Sequence, residues 1–346
     1  MTPQNSHILI AVDAMGGDFA PASVVTGALE AVREARGRFS VILVGQREKI
    51  QAELAKNRDL AEREEVRKHL SIEQADDVIE MHDSPTAALK SKRQSSIGVG
   101  LRLQREKKAH AFVSAGNTGA VLSASTLILG RLKHVGRPTI GALIPTAKSP
   151  ALLVDAGANV DCRAKHLLEF GLMGSIYVSS MLGKTDPAVG LLNIGEEGSK
   201  GNAATAEAYG LLKESKLNFV GNVEGRDLLK GDVDVIVCDG FVGNILLKFG
   251  ESIPAFFKAK VTRLAEQSVR QKLIALLARG TLRGVMKELD YQEHGGVPLL
   301  GVDGVSIIGH GRSTPKAIKN MIFRAEETAV RQVPHRIEQA MLHLPL

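Results

Sequence analysis

Short runs of β-branched and aliphatic residues alternate along this chain with longer stretches whose apolar positions recur every three or four residues. Residues 8–13, 40–44, 111–114, 151–155, 189–194, 218–223, 234–238 and 305–308 read as strands. Several of these are apolar almost throughout, the pattern of strands covered on both faces. Residues 21–36, 47–69, 86–107, 119–132, 162–182, 202–215, 243–249 and 314–330 read as helices. Strand and helix in alternation predict an α/β fold built on a largely parallel sheet. The 47–69 stretch interleaves charges of both signs, the pattern of a solvated helix face. Pro138, Pro145 and Pro150 punctuate a passage that reads as loop-rich.

Nearly every predicted strand ends in small or polar residues. Asp13-Ala-Met-Gly-Gly-Asp18 follows the first, and Ser114-Ala-Gly-Asn-Thr-Gly119 and Asp155-Ala-Gly-Ala-Asn159 follow later ones. Residues 193–202, 221–227, 239–244 and 309–313 repeat the pattern. In parallel α/β sheets ligands bind beyond the carboxyl ends of strands, where helix N-termini present unpaired amides. One such loop is an ordinary capped turn, whereas seven predict a shared polar site.

Composition narrows the chemistry. With 44% hydrophobic and 24% charged residues the chain is globular, and its 35 glycines in 346 residues, about 10%, exceed the usual ~7%. Aromatics make up 4% with no Trp, which leaves little for stacking nucleic-acid bases. Two cysteines, Cys162 and Cys238, exclude a disulfide framework and fit a reducing cytoplasm. Cys238 reads as core and Cys162 as non-catalytic. No leader or bilayer-spanning run is expected. The net charge of +6 is local: eight basic residues and one acidic residue lie between Lys258 and Lys287, giving +7 there and −1 elsewhere.

The common phosphate loop, dinucleotide fingerprint, nucleophile elbow and zinc-protease helix are all missing from the sequence. What is present, in order, is IAVDAMGGDFAP from Ile10, SAGNTGA from Ser114, DAGANVDC from Asp155, VGLLNIGEE from Val189 with Lys200-Gly-Asn202, NFVGNVEGRDL from Asn218, VCDGFVGNILLK from Val237 and LLGVDGVSIIGHG from Leu299. Spread over nearly the whole chain, these motifs resemble the PlsX-type phosphate acyltransferases. The resemblance implies transfer of a fatty acyl group from an acyl-carrier-protein thioester to inorganic phosphate, giving acyl phosphate for phospholipid synthesis. It implies one three-layer αβα domain like that of isocitrate and isopropylmalate dehydrogenases and phosphotransacetylases. It also implies a homodimer, peripheral contact with the cytoplasmic membrane, and a downstream glycerol-3-phosphate acyltransferase as a further partner. No cofactor, metal or nucleic acid is expected.

That reaction needs phosphate held in line with the carbonyl, an oxyanion stabilised by donors worth ~3 kcal/mol each, and a departing thiolate. Lys200 and His310 are the expected catalytic residues, Lys200 for phosphate or the oxyanion and His310 for the thiolate or phosphate. For His310 a helix-capping role is the plainer alternative. Asp13, Gly16, Gly17, Asp18, Ser114, Gly116, Asn117, Thr118, Asp155, Asn159, Asn202, Asn222, Glu224, Asp239 and Asn244 are expected to line the phosphate and substrate site. Asp13, Asp18, Asp155 and Asp239 invite a metal reading, but carboxylates beside phosphate repel it, and hydrogen bonding to loop amides, or pairing with Lys200 and Arg side chains, is the expectation. Residues 250–290 are expected to form a protruding helical hairpin, with helices over residues 250–270 and 281–288. Within it Leu273, Ile274, Leu276 and Leu277, set among cations, are the expected membrane contact, with a helical dimer contact and reception of the acidic carrier as alternatives. Two further readings of the whole chain are a metal- and nicotinamide-dependent dehydrogenase on the same fold and a non-enzymatic membrane scaffold.

Overall fold

A computed structural model describes residues 7–281, Gly284 and residues 295–344. The first part of the chain forms β1 (Ile8–Asp13), α1 (Ala22–Ala35), β2 (Phe39–Gly45), α2 (Arg47–Lys56), α3 (Arg58–Ala61), α4 (Glu64–Arg67), β3 (Leu70–Gln74), α5 (Pro85–Ser91), α6 (Ser96–Arg105), β4 (Ala111–Ser114) and α7 (Thr118–Ile128). Two strands, β5 (Thr139–Ile144) and β6 (Ala151–Val154), lead to α8 (Ala164–Leu182), β7 (Val189–Leu192), α9 (Ala203–Glu214), β8 (Phe219–Val223), β9 (Val235–Val237), α10 (Gly240–Ala265) and α11 (Val269–Leu277). The chain then returns through β10 (Val297–Leu300), β11 (Ser306–Ile308), α12 (Pro315–Val330) and α13 (Val333–Met341).

Among the described residues all strands join one eleven-stranded sheet, ordered β3-β2-β1-β4-β11-β10-β5-β6-β9-β7-β8. Seven of its ten pairings are parallel. The three antiparallel ones, β11–β10, β10–β5 and β5–β6, sit together at the centre. They reverse the direction an odd number of times, so the β1–β4–β11 block and the β6–β9 block run opposite ways.

Strand alternation sorts the core by face. In the first block Ile10, Val12 and Ile307 face α1 and α12, whereas Ala11, Phe112 and Ile308 join the apolar residues of α6 and α7. In the second, Leu152, Val154, Val235 and Val237 lie under α8, α9 and α13, and Ala151, Leu153, Ile236 and Cys238 turn the other way, toward Leu246 of α10. Helices on both faces make the three layers.

Several boundaries differ from the sequence reading. Residues 47–69 form α2, α3 and α4 in place of one helix, and residues 86–107 break into α5 and α6. The second break is set at Ser95, whose hydroxyl accepts the Gly98 amide at 3.2 Å and starts α6. Residues 243–249 and 250–270 belong largely to one continuous helix, α10, which runs through Pro254. Strands β3, β5 and β10 went unpredicted. β3 is a half-exposed edge strand, and Pro138, Pro145 and Pro298 made β5 and β10 look like loop. The Pro-punctuated passage does not interrupt the sheet, because Thr139–Ile144 pairs on both sides. Of the helix expected over 281–288, only Thr281 and Gly284 are described. Arg283 and Lys287 lie outside the described residues. No described helix is long and apolar enough to cross a membrane.

Candidate active site

The loops after β1, β4 and β11 are sewn together by backbone hydrogen bonds. Asp18 donates its amide to the Gly311 carbonyl at 2.7 Å, and Gly309 donates to the Ser114 carbonyl at 2.8 Å. Beneath them Asp13, buried at the end of β1, accepts from the Ser114 hydroxyl at 2.6 Å and the Met15 amide at 3.0 Å. Burial raises the Asp13 carboxyl above its ordinary range, opposed by hydrogen bonds from Ser114, Ser96 and the amides of Met15 and Gly16. The same Ser114 oxygen accepts the Gly116 amide at 3.0 Å. A Cβ on Gly16 would overlap the Asp13 carboxylate and stand 2.7 Å from the Gly116 nitrogen, so the two loops touch only because glycine sits there.

Asn117 caps α7 by accepting the Ala120 amide at 3.0 Å. Its side-chain nitrogen donates to the carbonyls of Met81 and Asp83, both at 3.0 Å, which hangs the 80–83 turn over the loop cluster. With both ends of the amide so engaged, Asn117 positions neighbours rather than offering its side chain to phosphate.

A second cluster forms after β6 and β9. Asp155 accepts the amides of Ile140, Gly157, Ala158 and Asn159 and the side-chain nitrogen of Asn159, at 2.7–3.2 Å. Asp239 caps α10 by accepting the Val242 amide at 2.8 Å. A Cβ on Gly243 would overlap the Asp155 carbonyl, so the first turn of α10 is seated directly on this loop. Asp13, Asp155 and Asp239 thus accept hydrogen bonds from backbone amides and neighbouring polar side chains. Among the described residues no three His, Cys, Asp or Glu side chains are grouped to hold a metal.

Between α7 and α10, across the central strands, lies a cleft of about 510 Å³. Asp18, Thr118, Gly119, Gly309, His310, Gly311 and Arg312 form its polar pole. Ile308, Val297, Ala142 and Ile140 line the sheet side, Leu122 of α7 and Leu247 of α10 the walls, and Ala156, Gly157 and Asn244 the other end. Lys248, Glu251, Met81, Leu143 and Gly296 complete the lining. The first-turn amides of Thr118 and Gly119 have no acceptor within their helix and sit at its positive dipole end. His310 Nδ1 accepts the Arg312 amide at 3.1 Å, which leaves the proton of the neutral ring on Nε2.

Of the residues expected from sequence, the cleft gathers Asp18, Thr118, Asn244 and His310, supported from behind by Asp13, Gly16, Gly17, Ser114, Gly116 and Asn117 and from the far end by Asp155, Asn159 and Asp239. It does not gather Lys200, Asn202, Asn222 or Glu224. Those belong to loops after β7 and β8, beyond β9 in the sheet. There Asn202 caps α9 by accepting the Thr205 amide at 2.9 Å, and Asn222 donates to the Glu197 carbonyl at 2.8 Å. Glu224 takes Arg226 at 3.1 Å. Lys200 is exposed, with its stem against Gly195. The single shared site expected from seven loops divides because β7 and β8 close the far edge of the sheet, beyond β9, and carry their loops away from the cleft at its centre. Arg312 and Lys248 escaped the sequence reading, although Lys248 ends a quoted motif and Arg312 stands in the 309–313 loop, because nothing in a sequence shows which residue of a loop turns inward.

Neither cysteine joins the cleft. Burial first, then the charges of Asp155 and Asp239, pushes Cys162 up to about 11, and the same causes raise Cys238 well above its ordinary value. Both stay thiols near neutrality and neither is an activated nucleophile.

Three solved structures share this fold. The EutD phosphotransacetylase from Staphylococcus aureus superposes with a TM-score of 0.58 at 16% identity, covering 93% of this chain and 94% of that one. A phosphotransacetylase from Streptococcus pyogenes gives 0.59 at 16% identity, with 94% of each chain covered. A branched-chain phosphotransacylase from Enterococcus faecalis gives 0.56 at 14%, covering 98% of this chain and all of that one. Curated relatives lie much nearer in sequence. The phosphate acyltransferase of Moorella thermoacetica is 48% identical over 336 residues, 97% of this chain and 95% of that protein. That of Acetivibrio thermocellus is 44% identical over 337 residues, covering 97% of both. Residues 8–336 match the family described as fatty acid synthesis protein. With identity of this order over nearly its whole length, the chain belongs to that family and is an acyltransferase of the phosphate acyltransferase kind.

Proposed function

We propose that the chain transfers a fatty acyl group from an acyl-carrier-protein thioester to inorganic phosphate, and that the reaction takes place in the cleft between α7 and α10. The observation that carries this reading is the pairing, in one cavity of a phosphate acyltransferase, of an anion-binding pole with an apolar trough. A metal- and nicotinamide-dependent dehydrogenase or a scaffold has no such observation in its favour.

At the polar pole, phosphate is held by the Arg312 and Lys248 cations and by the first-turn amides of α7 beside the Thr118 hydroxyl. One of its oxygens attacks the thioester carbonyl. As that C–O bond forms, the C–S bond breaks and the carrier's thiolate leaves. The proton that hydrogen phosphate gives up ends on the sulfur, and the Nε2–H of His310 is proposed to hydrogen-bond the departing thiolate. The carbonyl oxygen, negative in the transition state, is stabilised by the same donors, each worth ~3 kcal/mol when well placed. No side chain needs to carry the acyl group. In the trough each buried methylene contributes about 0.8 kcal/mol.

Lys200, a cation on an exposed Gly-flanked loop outside this cleft, is proposed to draw phosphate toward the protein before it enters the cleft. A homodimer is proposed from the apolar stripe that α10 leaves exposed at Phe241, Ile245 and Phe249. Reversible contact with the inner face of the cell membrane is proposed for Leu273, Ile274, Leu276 and Leu277, all more than half exposed on α11. The acyl phosphate would then pass to a glycerol-3-phosphate acyltransferase.

Incubating the protein with acyl-carrier protein and phosphate, then adding hydroxylamine, tests the reaction. A phosphate-dependent hydroxamate is expected. Free carrier thiol with no hydroxamate, or hydroxamate formed equally well without phosphate, would overturn the reading.

A further inference from the structure

The cleft's apolar trough has a built length. Along β5 the side chains alternate, so Gly141 faces α8, where a Cβ would meet Leu152 at 3.1 Å. Ile140 and Ala142 therefore face α7 and α10, and both are buried, 3% and 1% exposed. Ile308 of β11, also 1% exposed, continues the floor toward His310. Opposite, half-buried Leu247 packs into the same apolar cluster from α10, and Leu122 does so from α7. At the far end Gly157 and Asn244 close together: a Cβ on Gly157 would lie 3.3 Å from that of Asn244. Gly157 also has φ +136°, where a larger residue is strained. The floor's depth at mid-length thus depends on a single methyl group, that of Ala142.

We propose that the acyl chain lies in this trough with its carbonyl at the Thr118–His310 pole, and that Ala142 on the floor and Leu247 on the wall set the longest chain accepted. This rests on the acyltransferase reading. The ligand is a linear, saturated hydrocarbon chain: the mid-trough residues Ile140, Ala142, Leu122 and Leu247 offer it contact and no side-chain hydrogen bonds. A leucine at position 142 adds three carbons to the floor where the chain's middle would lie.

The test measures kcat/KM for butyryl-, octanoyl- and palmitoyl-carrier protein with the full-length wild type, Ala142→Leu and Leu247→Trp. The expected result is a fall of at least about ten-fold in the palmitoyl-to-butyryl ratio for each variant, the discrimination that a few carbons in an apolar pocket commonly produce. Leu247 is half-buried on a helix face, so Leu247→Trp keeps the test informative should Ala142→Leu fail to fold. An unchanged ratio in a folded variant, or losses equal at every chain length, would overturn the assignment of the trough. A wild type that makes acyl phosphate from none of the three would instead defeat the acyltransferase reading itself.

Discussion

His310, Arg312 and Asn117 show how much a single side chain's surroundings decide. In sequence all three were polar residues in glycine-rich loops, yet the fold gives them different work. Asn117 has both ends of its amide engaged by backbone, whereas His310 and Arg312 line the cleft. The Gly-Gly and Ser-Ala-Gly motifs were legible as close-approach sites. That the partner in the approach is another loop, Gly16 against Gly116, needed coordinates. Lys200 is the residue on which sequence and geometry pull apart, because it stands on an exposed loop beyond β9. Lys200→Ala is expected to fold normally and to lose most of its activity, with the loss concentrated in the KM for phosphate. Kinetics identical to wild type at every phosphate concentration would release Lys200 from the reaction and leave the chemistry to the cleft.

Strands that are apolar on both faces announced themselves in sequence, and so did the long amphipathic helices. Those hidden were β5 and β10, flanked or interrupted by proline, and edge strand β3, whose Glu73 and Gln74 face solvent. They are the elements that matter most for the site, since β5 and β10 supply the antiparallel centre on which the cleft rests. α10 also outgrew its sequence estimate. It begins at an Asp239 cap beside the cleft and continues unbroken to Ala265, so one helix links the reaction site to the exposed apolar residues of α11. Those residues carry a prediction of their own. Leu273, Ile274, Leu276 and Leu277 are each worth ~1.5–3 kcal/mol if fully buried, and only part of that if they skim the headgroups. Lys272 and Arg279 add salt-dependent attraction of about 1 kcal/mol each near an anionic leaflet. Exchanging both Leu276 and Leu277 for Glu should abolish sedimentation with anionic liposomes while the protein remains folded. A double variant that still pellets removes α11 from the lipid contact. One that dissociates a dimer makes these leucines a protein interface instead.

The whole sheet explains why the family resemblance was plain and the site only half so. Seven ordered motifs identify the chain because each shapes a turn, a cap or a loop crossing, and those needs persist wherever in the molecule the turn lies. Whether seven turns share one cavity depends on strand order, and the order that puts β7 and β8 beyond β9 leaves no mark of its own in the sequence. As a result the loops after β1, β4, β11, β6 and β9 surround one cleft, while those after β7 and β8 lie elsewhere. The account therefore stands or falls on phosphate entering that cleft and leaving it joined to an acyl group. Radiolabelled inorganic phosphate, supplied with palmitoyl-carrier protein to wild type and to Arg312→Glu, follows that event. Label should appear in an organic-extractable acyl phosphate with wild type, and about a hundred-fold more slowly with the variant, the loss expected when a charged transition-state donor is replaced by a repelling carboxylate. Labelled product formed by a folded Arg312→Glu protein at the wild-type rate would contradict it.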